Sequence, residues 1–72
     1  MSYNKYTKNE RIEWLKALWD AVIDDGDEAL WMSLIWIIPD EPQEDDFEFI
    51  AENEDLWEDC WAWAKRHWFY KA

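Results

Sequence analysis

Residues 27–50 read DEALWMSLIWIIPDEPQEDDFEFI, and the fold turns on how this stretch is read. From Glu28 to Ile38 the chain is apolar nearly all round: Leu30, Trp31, Met32, Leu34, Ile35, Trp36, Ile37 and Ile38. A helix of that kind must be central and touched on most sides. Asp27 sits where an N-cap belongs, Glu28 suits a first turn, and Pro39 supplies a stop. The same letters admit a second reading. Ile35 to Ile38 is rich in β-branched residues, and a strand at 34–38 would pair with 47–51 across the polar loop 39–46. An isolated two-stranded hairpin is marginal without a helix packed on it. The expectation is therefore an all-α domain of three or four helices, with α+β, a hairpin 34–38/47–51 on two helices, as the alternative.

The flanks favour the helical reading. Ile12, Leu15, Leu18, Trp19, Val22 and Ile23 recur at three- and four-residue steps, which predicts an amphipathic helix over 9–25. Thr7 with Glu10 forms a candidate capping box, with Asn9 as another N-cap. Gly26, the single glycine, follows Asp24-Asp25 where a left-handed residue ends a helix. A short helix is expected over 44–52. Asn53 caps a further helix over 54–70, with Lys65 and Arg66 at the end its dipole favours. The expected core is Leu15, Leu18, Trp19, Val22, Leu34, Ile35 and one side of the last helix.

Seventy-two residues make one small domain, with a surface of roughly 4,800 Å² and a radius of gyration of about 11 Å. The formal net charge is −11, from 18 acids against 7 Lys and Arg. High charge suggests disorder only when aromatics are scarce, and here there are eight Trp. The charge is segregated. Residues 1–19 sum to +2, residues 20–59 hold 16 acids with no Lys or Arg, and residues 60–72 sum to +3. Such a run costs stability through self-repulsion and exceeds what solubility requires. It excludes direct nucleic-acid binding through a basic surface. Anionic lipid repels it as well, so no membrane role is expected.

One cysteine excludes an internal disulfide and suits a reducing compartment. No basic start followed by an apolar run marks a signal peptide, so a cytoplasmic location is expected, the host's if a phage encodes the chain.

Candidate chemistry fails on spacing. Adjacent acids such as Asp24/Asp25, Asp45/Asp46 and Glu58/Asp59 diverge by about 100° on a helix and form no dyad. A calcium loop with Gly26 at its sixth position puts Ala21 first and Met32 twelfth, neither of them a ligand. Cys60 and His67 lie about 10 Å apart along a helix, too far for proton transfer, and zinc would need further ligands. Cys60 reads as a core thiol and His67 as a rim residue. With one glycine there is no phosphate-cradling loop. No enzyme, cofactor or metal is expected.

Two functions stay open. The first is a small acidic inhibitor or decoy that binds a basic surface on a nucleic-acid-acting protein: a nuclease, restriction enzyme or CRISPR effector. Its acids would be Asp40, Glu41, Glu44, Asp45, Asp46, Glu48, Glu52, Glu54, Asp55, Glu58 and Asp59. In composition, though in no motif, the chain resembles phage anti-restriction and anti-CRISPR proteins and nuclease immunity proteins. The second is an interaction module or homodimer anchored by surplus tryptophans, Trp14, Trp57, Trp61 and Trp68, because Trp dominates binding hot spots. The surplus follows from the last helix. Its apolar arc covers about half the circumference, wider than a single core-facing stripe near 100°.

Overall fold

A computed structural model describes residues 6–69, with the side chains of Trp68 and Phe69 outside the description. Among the described residues the chain forms four α-helices and no strand: α1 Lys8–Asp25, α2 Glu28–Leu34, α3 Glu44–Glu52 and α4 Glu54–Ala64. A π-helical segment, Lys65–Phe69, continues α4. The all-α expectation holds. The hairpin alternative fails because residues 47–51 lie inside α3.

Local chemistry sets each boundary. Thr7 Oγ1 accepts from the Glu10 amide at 3.1 Å, and Glu10 Oε1 accepts from the Thr7 amide at 2.9 Å. This closes the capping box and satisfies two orphan donors. Gly26 ends α1 at φ 66°, its amide donating to Ile23 O at 3.1 Å. A Cβ there would meet nothing within 4 Å, so the left-handed backbone alone asks for glycine. Asp27 Oδ1 accepts from the amides of Ala29 and Leu30 and starts α2. Asp46 Oδ2 accepts from the Gln43 amide at 2.8 Å at the start of α3. Asn53 closes α3 with its own amide and opens α4 by accepting from Leu56 N at 3.2 Å. One residue thus turns the corner between two helices.

The second helix is shorter than the expected 28–38. It stops at Leu34, and Ile37 and Ile38 both donate to Leu34 O in a closing turn. Pro39 disfavours α geometry in the residue before it, so the helix runs out upstream of the proline. The turn still delivers Ile37 and Ile38 to the core.

That core gathers Leu15, Leu18, Val22, Leu34, Ile50, Trp57, Cys60 and Trp63 from all four helices, and among the described residues no charged side chain is buried. Two expected members are corrected. Trp19 and Ile35 are half-buried, because they lie at the edges of the faces that α1 and the α2 turn bring together. Ile23, placed by spacing on the same face as Val22, is 52% exposed. It lies about 100° around α1 from the buried Val22, on the side that borders the open cleft beside Gly26. The radius of gyration is 11.5 Å and the surface 4821 Å².

Candidate interaction surface

The cations of α1 are spent inside the molecule. Lys8 hydrogen-bonds Glu52 and lies 3.5 Å from Glu48. Lys16 reaches Glu44 at 2.8 Å and Glu13 at 3.9 Å. Glu44, Glu48 and Glu52 are four apart, so they line one face of α3, and the two lysines of α1 straddle it. The Glu52 hydrogen bond raises the Lys8 pKa above its usual 10.5, and the Glu44 bond does the same for Lys16. Arg11 Nη1 donates to Ala51 O at 3.2 Å, and its guanidinium sits 5.2 Å from the Trp57 ring centre. Helix α1 is thereby tied to the end of α3 and to α4 at once.

This divides the expected acidic site. Glu44, Glu48 and Glu52 are paired with lysines of the same chain, so the reading of an uncompensated run is corrected for them. Sequence separation hid the pairing, since the cations lie outside residues 20–59. Asp46 caps α3. Among the described residues Asp40, Glu41, Asp45, Glu54, Asp55, Glu58 and Asp59 have no ion-pair partner. They occupy the 39–43 loop, the first turns of α3 and α4, and the middle of α4. All are exposed except Glu58, which is half-buried.

The expected aromatic anchors are placed differently. Trp57 is 0% exposed. Trp14 covers it edge-on at 4.8 Å, Tyr6 does so at 6.0 Å, and Trp61 lies 6.1 Å away. Trp14 and Trp61 are half-buried in this same aromatic cluster, 5.5 Å apart. The cluster absorbs the arc of α4 that appeared surplus on the wheel. Trp68 lies, as a side chain, outside the described residues, and so does Tyr70. Among the described residues the large apolar groups that do face solvent are Ile23, Met32, Trp36 at 68% and Phe49 at 61%. Met32 and Trp36 correct the expectation that the apolar run 28–38 is touched on most sides, since α2 buries only Leu30 and Leu34.

Cys60 is buried, and burial, helped by the charge of Asp59, pushes its thiol pKa up to about 12. Such a thiol is inert at neutral pH. His67 stacks on Trp63 at 4.4 Å between ring centres. Among the described residues no three His, Cys, Asp or Glu side chains converge on a metal-sized site. No described helix is long and apolar enough to cross a membrane.

Two surface clefts lie among the described residues. One, of about 190 Å³, lies where α1 passes into α2 and is lined by Val22, Ile23, Gly26, Asp27, Glu28 and Trp31. The other, of about 330 Å³, lies between α1 and the start of α3 and holds the Lys16–Glu44 pair. No protein-family model, curated protein or solved structure matches this chain.

Proposed function

We propose that the protein is a non-catalytic inhibitor or decoy that binds the basic surface of a nucleic-acid-acting protein. The observation that carries this reading is the set of exposed carboxylates that among the described residues have no cation, Asp40, Glu41, Asp45, Glu54, Asp55 and Asp59, on a loop, two helix starts and the middle of α4. DNA offers one negative charge per ~1.7 Å of helix axis, and carboxylates spaced along a folded scaffold offer a basic channel a target of the same sign. Asn53 fixes the α3–α4 corner from both sides. The two α1 lysines are engaged by Glu44, Glu48 and Glu52, so neither pairs with the acids of this set.

The test is co-purification from the host with the natural chain and with a variant carrying Asp40→Lys, Glu41→Lys and Asp59→Lys. These positions lie outside the helix first turns, where an acid supports the dipole, so the fold survives the reversal. The partner should bind stoichiometrically, yield to duplex DNA, and dissociate steeply between ~0.05 and 0.5 M salt as the Debye length falls below ~5 Å. It should not bind the triple variant. Binding that is flat in salt and survives the reversal refutes the decoy. Exposed Trp36 and Phe49 favour the second reading in that event, an apolar interaction module with anchors other than the tryptophans named from sequence.

A further inference from the structure

The 190 Å³ cleft at the α1–α2 junction has an apolar floor of Val22, Ile23 and the half-buried Trp31 ring, with Asp27 and Glu28 on its rim. The cleft opens to solvent and offers room for a side chain laid along its floor.

Three observations fix the sign of its occupant. Asp24 and Asp25 stand in the last turn of α1, which holds no basic residue, at the end where the helix dipole is negative. Asp27 and Glu28 add two more carboxylates within three residues. Among the described residues no cation pairs with any of these four. Asp24 and Asp25 are disfavoured at that C-terminus and a cation beside them removes the penalty, whereas Asp27, whose Oδ1 caps α2, and Glu28 line the cleft itself. A second copy of this chain, itself at −11, is repelled. The 330 Å³ cleft is unsuited to a cation because Lys16 lines it.

We infer that the α1–α2 cleft receives an arginine side chain of a basic partner protein. The stem lies on Val22 and Ile23, the guanidinium plane stacks on Trp31, and its fork of N–H donors faces Asp27 and Glu28. Arginine fits better than lysine because a planar, weakly hydrated cation can both stack and donate to two carboxylates. This inference rests on the reading that the partner is basic, and it adds an anchor point at the opposite end of α1 from the Lys8 pairs.

The probe is N-acetyl-arginine amide, titrated into the intact protein at low ionic strength, with the neutral citrulline analogue as control. Two-dimensional amide spectra report the site directly, because Gly26 is the single glycine and gives an isolated signal. The expected result is a saturable shift of the Gly26 amide and the Trp31 indole N–H with the arginine probe and none with citrulline. Trp31→Leu should weaken binding about two- to fivefold through loss of the stacked ring. Exposed Glu28→Gln, which leaves the core untouched, should also weaken it and serves if Trp31→Leu does not fold. Equal shifts with both probes, or no saturation at Gly26, overturn the inference. The assay needs no partner. A salt-sensitive partner alongside an indifferent probe rejects the cleft alone. A seated probe with no basic partner rejects the decoy reading and leaves the cleft standing.

Discussion

Replacing Trp57 by Ala separates an anchor from a keystone. A tryptophan presented to solvent for a partner changes stability by no more than about 0.5 kcal/mol when truncated. Trp57 is instead 0% exposed, with rings of Tyr6, Trp14 and Trp61 around it and the Arg11 guanidinium over its face. Emptying a buried tryptophan site costs about 3–5 kcal/mol. The edge-on pair with Trp14 brings about 0.5–1.5 kcal/mol beyond burial, which places the loss at the upper end. At about 0.05–0.15 kcal/mol per residue, a chain of this length has only about 4–11 kcal/mol of stability in all. Trp57→Ala should therefore be largely unfolded at the low end of that range. Trp57→Phe should cost far less. It keeps most of the packing and removes an indole Nε1 that is buried with no hydrogen-bond partner among the described residues. An unpaired buried donor is worth about 1–3 kcal/mol of relief. Urea titration followed by far-UV circular dichroism gives the three midpoints, with Trp36→Ala, 68% exposed, as the surface control. A Trp57→Ala loss below about 1 kcal/mol, or one matched by Trp36→Ala, would refute the placement of the aromatic cluster.

Further outcomes follow from the same contacts. Leu18→Ala, at a buried α1 position, should cost about 2–5 kcal/mol in the same titration. Cys60 should resist thiol reagents at neutral pH until the chain is unfolded. Its folded pKa of about 12 lies above the ordinary 9.0, so its contribution to stability is full below pH 9 and lost as pH rises toward 12. Lys8 and Lys16, also raised, lose theirs above pH 10.5, and Cys60→Ala should flatten the earlier part of the alkaline fall in melting temperature. Thermal melts should rise with sodium chloride, because self-repulsion at −11 outweighs four ion pairs whose side chains are all well exposed. A fall would mean that the lysine pairs dominate.

Helix starts, and the end of α1, were legible because their chemistry is local, whereas α2 stops at Leu34, short of the expected 38. Thr7, Gly26, Asp27 and Asn53 each act within three residues, and each does what its side chain and spacing imply. Position on a face was legible only where a neighbouring helix is wide enough to cover it. Leu15 and Val22 are buried as the period requires, while Ile23, one residue on, is not. Trp57 and Trp61 looked surplus because a helical wheel of α4 does not contain Tyr6 and Trp14, which arrive from the far end of the chain to cover them. The acidic run hid its own pairing in the same way. No count over residues 20–59 reveals Lys8 and Lys16 lying along α3. The Asp24–Glu28 segment, tested from sequence only as a calcium loop, borders the α1–α2 cleft, and cleft shape is tertiary.

The lysines along α3 also set how discriminating the molecule can be. Tethered to the helix they face, they stand at an effective concentration of millimolar order or above. A loose polycation must outcompete them to reach Glu44, Glu48 or Glu52, and has no such rival at Asp40, Glu54 or Asp55. The chain therefore rations its own acidity. Part of it is answered from within, and what is left over has a shape, so that a cationic surface is selected by where its charges fall rather than by how many it carries.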